Sequence, residues 1–577
     1  MRIRTLAVAT VLASTLTLSL VWLSPGPLAS PGSAPAHALQ PATAARSDAN
    51  RPLAPSATIH VDTQEDELNT AVGNGQCSLR EAILNANTDS AELVDCEAGT
   101  GDDTILLPAG TYKLTLTESE DEGRQGDLDV TDAGCLTIQG AGVGNTFIDA
   151  NGIDRALEIH GGAGAVVIAE LTVMNGQVSG QGGGIYLGDA SLTLTNVSVR
   201  NNAAGGDGGG IFIDQAGAQL TGTHVQFRDN DAGGDGGALF VHAGSASLAD
   251  PQIIGNSATH GGGICVGQEG GRVTTSGGRV RSNEADDHGG GIYVDAGRAT
   301  LTDTEIRQNI AGDGGALYVN LATGSLRVTG GDVRQNTAAY GGAGFVRDGT
   351  AALTDTLVVS NTATAGRGGG LWISSGTATI TNTQILRNSA NSSGGGLYVD
   401  RGTATVINSH IIGNASGDGG GVFVWSGTAA ITSTHIITNT ATGEGGGLFV
   451  WGGSATLSDA NIDGNTASQG GALYLDSRGA ITVRRSCITN NYDTAVHNDR
   501  SSGNTFEARR NWWGATTGPS GAGPGSGDSV GTNVAWVFYA IDDTGGDSTA
   551  KPAQPAPIQT ERIRLDSQPN GATVYVE

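Results

Sequence analysis

Asp207, Asp235, His260, His288 and Asp313 each stand directly before a run of glycines, at intervals of 28, 25, 28 and 25 residues. Carboxylates and imidazoles collected in one column could hold a cation or titrate near neutral pH. Turn residues that accept backbone hydrogen bonds would look the same, and that plainer role is the one preferred. His410 and His435 recur in the same manner, Arg200, Arg228, Arg281, Arg307 and Arg334 form a broken outward row, and Asp214 shares a repeat position with His242. A glycosidase needs two close carboxylates, and acyl transfer needs a base facing an oxyanion donor. None of these columns supplies either, so no catalytic residue is assigned; Asp214 beside His242 is the best candidate for an enzyme. No CxxC and no close Cys/His cluster occurs, so neither a metal nor a cofactor is expected.

One further column stands out by residue type. Tyr186, Phe212, Phe240, Cys265, Tyr293, Tyr318, Phe345, Trp372, Tyr398, Phe423, Phe449 and Tyr474 follow the glycines at one repeat position, 11 of 12 of them aromatic in a chain with 5% aromatic content. Their flanking residues are aliphatic. Side chains alternate across a strand, so if the aliphatics point inward the rings form an outward ladder, and an exposed apolar stripe marks an interaction surface. Trp425 and Trp451 sit two residues beyond Phe423 and Phe449 and extend that platform. Flat rings suit the apolar faces of sugars or another protein's surface. The ligand-contacting set expected on this basis is Tyr293, Tyr318, Trp372, Tyr398, Phe423, Trp425, Phe449 and Trp451.

These columns exist only if the chain repeats. Glycine clusters begin at twelve positions from Gly182 to Gly470, in steps of 25 to 28 residues. Each unit then runs aliphatic, aromatic, aliphatic, a polar turn, a Thr/Ala/Leu/Ile alternation, and an aliphatic residue three positions before an asparagine, as in Phe227/Asn230 and Ile306/Asn309. A period near 26 without helical spacing fits one coil of a parallel β-helix, each strand pairing with its counterpart roughly 4.8 Å away. Glycines let the chain turn with positive φ and let stacked corners approach, while the asparagines pass amide hydrogen bonds from coil to coil. The fold class expected is all-β: a single parallel β-helix of about 12 regular coils with irregular coils at the ends.

A stack of coils needs its ends covered. Leu79, Ile83 and Leu84 fall at helical spacing within 77–87 and predict an amphipathic lid on the N-terminal end. The net charge of -27 and the presence of only Lys113 and Lys551 as lysines speak against nucleic acid. Arg2 and Arg4, the apolar run from Leu6 to Leu23 and Ala36-His37-Ala38 read as a secretory signal peptide, the alternative being an uncleaved anchor. In an exported chain Cys77 and Cys96 are the expected disulfide, with Cys135 a competitor, and Cys265 and Cys487 are expected to be buried thiols. The divisions are then 1–38 signal peptide, 39–56 disordered linker, 57–175 cap and irregular coils, 176–540 regular and terminal coils, and 541–560 linker.

The CSLREAI motif at Cys77 to Ile83, with GDLDV at Gly126 to Val130, resembles the amino-terminal region of secreted bacterial repeat proteins named after that motif. The repeats resemble those of polymorphic outer membrane proteins, which pair GGA-plus-aliphatic with F-x-x-N, matched literally by Phe227 to Asn230. The resemblance implies a right-handed parallel β-helix exposed on cells and carries no catalytic residues. Those proteins end in a membrane barrel, whereas Asn511-Trp512-Trp513-Gly514 through Ser520 resembles the end of secreted β-helices, so no integral barrel is expected. Residues 561–577 resemble the first hairpin of a PEGA-type module, cut short. The function expected is a secreted or cell-surface binding protein, an adhesin or glycan-contacting rod, monomeric, with polysaccharide or a cell-surface protein as partner. The alternatives are a β-helix polysaccharide lyase or hydrolase and a purely structural spacer.

Overall fold

The structure, a computed structural model, describes residues 56–69, 73–117, 123–476, 478–499 and 506–537. The signal peptide, almost all of the first linker, the second linker and the PEGA-like segment lie outside the described residues.

One coil shows how the repeat works. Ile292–Val294 forms a three-residue strand, and after a tight turn Arg298–Thr302 forms a second. Asp303, with φ 52°, turns the chain into Glu305–Arg307. Gln308, with φ 55°, turns it again into Ile310–Asp313, and Gly314 starts the next coil with φ 63°. Alternation does the rest: Ile292, Val294, Ala299, Leu301 and Ile306 all point inward at 0% exposure. Each strand pairs in parallel with the equivalent strand one coil on, as Ile292 with Leu317 and Ile306 with Val333.

Three sheets result. The ring sheet holds the strands that follow the glycines, the broad sheet takes the next two strands of each coil, and the short sheet holds the strand before the glycines. The parallel β-helix expected from the period is therefore the observed fold.

Both corner devices are present. The first glycine of every cluster from Gly182 to Gly470 has φ between 60° and 71°, a conformation costly for any residue with a Cβ. The second glycine serves close approach: a Cβ on Gly315 would lie 2.5 Å from the Gly342 carbonyl oxygen of the next coil. At the neighbouring corner, between the broad and short sheets, an asparagine ladder runs unbroken from Asn202 to Asn491. Asn309 is typical: its Nδ2 donates to Asn336 Oδ1 at 3.0 Å and to the Val280 carbonyl at 3.0 Å, and its backbone N–H donates to the same Oδ1 at 2.9 Å. Asn491 ends the ladder by donating to Asp528 Oδ2 at 2.9 Å.

The N-terminal lid is a helix, Leu79–Thr88, started by Ser78 in a capping box with Glu81. Cys77 and Cys96 are joined by a disulfide beside it; Cys265 and Cys487 are buried and Cys135 is exposed. Arg80 fastens the helix to the first coil. Its side chain is 0% exposed, pairs with Asp66 at 2.7 Å, and donates to the carbonyls of Gly123, Gly126 and Asp127, each at 2.9 Å. At the other end Trp513 is 1% exposed and closes the core.

Candidate functional site

The ring sheet carries the chemistry-bearing columns, and its register sets their order. The outward position between the two core aliphatics reads Asp129, Glu158, Tyr186, Phe212 and so on to Tyr474, ending in His497. The column is aromatic only in its middle; its first two members are carboxylates.

The rings do point away from the aliphatic core and form clusters of their own. They are not an exposed stripe. Tyr293 is 6% exposed, Tyr318 2%, Tyr398 0%, Phe423 3% and Phe449 2%, and Trp372 is half-buried. Coil spacing is the reason. Most rings one coil apart meet face to face, Phe423 and Phe449 at 4.6 Å and 6°, Tyr398 and Phe423 at 5.1 Å and 10°, so each covers its neighbour, while Trp372 meets Tyr398 edge-on at 79°. Side chains from the two bordering columns cover the edges: His288 stacks on Tyr318 at 4.5 Å, and the Arg367 guanidinium lies 5.2 Å from the Tyr398 ring. Most of the ladder is thus a second core outside the first.

Trp425 and Trp451 are different. They stand on the border of the column, stacked on each other at 5.1 Å and 4°, with Trp425 37% exposed and Trp451 half-exposed. Arg367 lies 5.9 Å from the Trp425 ring. The same border position holds Asp400 one coil before the pair and Asp476 one coil after it, because Val399, Val424, Val450 and Leu475 are in register. Two stacked indoles with a carboxylate at each end offer flat apolar surface and hydrogen-bond-accepting oxygens together, Asp400 being also paired with Arg401 at 3.3 Å.

The column before the glycines assembles as its spacing requires. His260 Nδ1 lies 2.7 Å from Asp235 Oδ1, and the His260 and His288 rings lie 5.2 Å apart, tilted by 42°. The Asp235 hydrogen bond raises the His260 pKa, whereas burial, and then His260 itself, lowers that of His288. Burial pushes the Asp313 carboxyl up to about 6. Asp207 accepts the Asp235 backbone N–H at 2.8 Å, the turn-capping role anticipated for this column.

Asp214 and His242 also meet, at 3.4 Å, but Asp214 accepts the Tyr186 hydroxyl at 2.9 Å and His242 Nε2 contacts Gln268 at 2.6 Å. Both groups are held by protein partners. On the broad sheet His410 and His435 stack at 4.9 Å and 6°, with burial lowering the His410 pKa.

A set not evident from sequence lies at the first coils. Asp129, Glu158 and His160 bring one ligand atom each to within 4.8 Å of one another, an Asp/Glu/His set able to hold a divalent cation. This departs from the expectation of no metal set. Asp129 is about one coil from Glu158 and His160 in sequence and becomes their neighbour only through its pairing with Glu158. His160 Nε2 lies 2.7 Å from Asp129 Oδ1, while Arg155 bridges Asp127, at 3.2 Å, and Glu158. Asp127 and Asp129 are 3% and 1% exposed. Burial, with Asp129 next to it, pushes the Asp127 carboxyl up to about 8. The cluster can bind a cation or shuttle a proton. The replacement of the ring by Asp129 and Glu158 was readable signal, but these coils lack the glycine pattern that sets the register.

Residues 183–354 and 262–441 match the family model described as right handed beta helix region. Among curated proteins no match is found. Two similar solved structures are parts of an epimerase and a glucanase. The A-module of mannuronan C-5 epimerase AlgE6 from Azotobacter vinelandii is 12% identical over 82% of this chain and 98% of its own, with a TM-score of 0.20. The catalytic unit of a thermostable GH87 alpha-1,3-glucanase from Streptomyces thermodiastaticus strain HF3-3 is 16% identical over 76% of this chain and 67% of its own, also with a TM-score of 0.20. At such scores neither likeness bears on what this chain does. The repeat match and the in-register coils together make the chain a right-handed parallel β-helix.

Proposed function

We propose that the chain is an exported or surface-displayed β-helix that binds polysaccharide, with Trp425 and Trp451 as its principal contact. The observation that carries this is the stacked, solvent-facing indole pair between Asp400 and Asp476, beside a column of mostly buried rings. The indole surface left open to solvent takes the apolar C–H face of a sugar, and flanking carboxylates accept hydrogen bonds from its hydroxyls. Binding to a panel of neutral polysaccharides, measured by affinity electrophoresis, should weaken at least about tenfold in Trp425→Ala/Trp451→Ala, as for a hot-spot aromatic. Equal binding by wild type and variant, or no binding to any member of the panel, would refute it.

The first-coil cluster favours a second reading, action on the bound polymer, because Asp129, Glu158 and His160 converge where the repeat would place a ring. The same panel, scored for new chain ends, supports that reading if products form and Asp129→Asn abolishes them.

A further inference from the structure

The charges on the three coils from 272 to 334 are sorted by face. All seven basic residues of that stretch, Arg272, Arg279, Arg281, Arg298, Arg307, Arg327 and Arg334, lie on broad-sheet strands. Of its eight acidic residues only Asp303, Glu305 and Asp332 belong to that side; Glu284, Asp286, Asp287, Asp295 and Asp313 lie on the short sheet or the ring-sheet border. In a chain of net charge -27, this is a local cationic face.

The arginines point outward, since the residues beside them, Val273, Val280, Ala299, Ile306, Leu326 and Val333, fill the core at 0–3% exposure. Register stacks like on like: Arg272 pairs with Arg298, and Arg281 with Arg307 and then Arg334. Like charges directly opposed on adjacent strands cost stability. Glu305 relieves part of this by bridging Arg307, at 3.2 Å, and Arg334. Arg272, Arg279, Arg281, Arg298 and Arg327 make no ion pair among the described residues, and Arg272, Arg298 and Arg327 are exposed.

From this face we infer a binding site for an acidic polysaccharide that lies along the rod axis on the broad sheet. The first coil presents Arg272, Arg279 and Arg281 without an ion pair, the next two present Arg298 and Arg327, and coils recur every ~4.8 Å. That is of the order of one sugar unit, so a polymer with one carboxylate per sugar meets at least one unpaired arginine at each step. Guanidinium binds carboxylate through paired N–H donors, which a lysine face would not provide. The site is separate from the Trp425–Trp451 pair and stands without it.

The test uses the whole chain with polygalacturonate as probe, dextran as neutral control and a single-stranded DNA oligonucleotide as a different polyanion. Affinity electrophoresis or calorimetry at low salt should show binding to polygalacturonate only. Binding should fall at least about tenfold in Arg279→Ser/Arg281→Ser and in Arg298→Ser/Arg327→Ser, and steeply with added salt as screening sets in. Arg509→Ser, at an exposed arginine on a distant broad-sheet strand, should leave it unchanged. Circular dichroism melting checks that the variants, which remove groups without ion pairs, stay folded. Absence of binding by the wild type, undiminished binding by both folded double variants, equal binding of DNA, or an equal loss in Arg509→Ser would each overturn the inference.

Discussion

Arg80→Met should detach the N-terminal lid while leaving the middle of the rod folded. The substitution keeps much of the volume but removes the guanidinium that pairs with Asp66, itself 3% exposed, and that satisfies the carbonyls of Gly123, Gly126 and Asp127. Breaking one side of a buried ion pair typically costs about 3–5 kcal/mol. Asp66 keeps the backbone N–H groups of Thr115 and Leu116, at 2.6 and 3.0 Å, which places the expected cost toward the lower end. In a stack where each coil touches only its neighbours, that loss is felt locally. Hydrogen exchange should therefore accelerate over Leu79–Thr88 and Asp102–Leu106 and stay unchanged beyond about the fourth regular coil. Uniform acceleration along the chain, or none at the lid, would contradict the placement of Arg80 as the fastening.

Asn336→Leu should open the rod from the inside. Asn336 Oδ1 accepts both the backbone N–H and the Nδ2 of Asn309, at 2.9 and 3.0 Å, and Asn336 Nδ2 donates to the Ile306 carbonyl at 3.1 Å and to Asn361 Oδ1 at 2.9 Å. Leucine is close in size but makes none of these bonds, and the groups left behind are at 0% exposure. Each orphaned buried group costs about 1–3 kcal/mol, so roughly 3 kcal/mol in total is expected after local relaxation. Neighbours pay for a central defect on both sides, so urea unfolding should lose cooperativity and show two transitions. A single transition at the wild-type midpoint would show that the amide ladder adds nothing to coil-to-coil coupling.

Much of this architecture was legible. A step of 25 to 28 residues, glycines at one fixed position and Asn202 through Asn465 at another leave few folds other than stacked coils. The lid helix follows from Leu79, Ile83 and Leu84. What was not legible lies where stacking itself changes a residue's surroundings. Alternation correctly places Tyr398 and Phe423 outside the aliphatic core, but only the distance between coils shows that stacked rings bury one another. Trp425 and Trp451 escape because they stand one position over, on the border.

Asp129, Glu158 and His160 were missed for a different reason. Leu128-Asp129-Val130 and Leu157-Glu158-Ile159 share the aliphatic frame of the later strands, but their coils lack the glycines that set the register. The arginine face was half seen: Arg281, Arg307 and Arg334 form a visible row, but Arg272, Arg298 and Arg327 belong to a neighbouring strand whose distance from that row depends on the corner at Asp303.

Every column described here rests on adjacent coils being in register, and a cysteine pair tests this directly. Thr379 and Thr405 face outward on neighbouring broad-sheet strands and are register partners. Cα atoms about 4.8 Å apart fall within disulfide range. Thr379→Cys/Thr405→Cys should cross-link on mild oxidation, detected as a joined peptide by mass spectrometry. Thr379→Cys/Ala430→Cys, two coils apart, should not. Efficient joining of the second pair, or failure of the first in folded protein, would contradict the register and with it the Trp pair, the first-coil cluster and the arginine face.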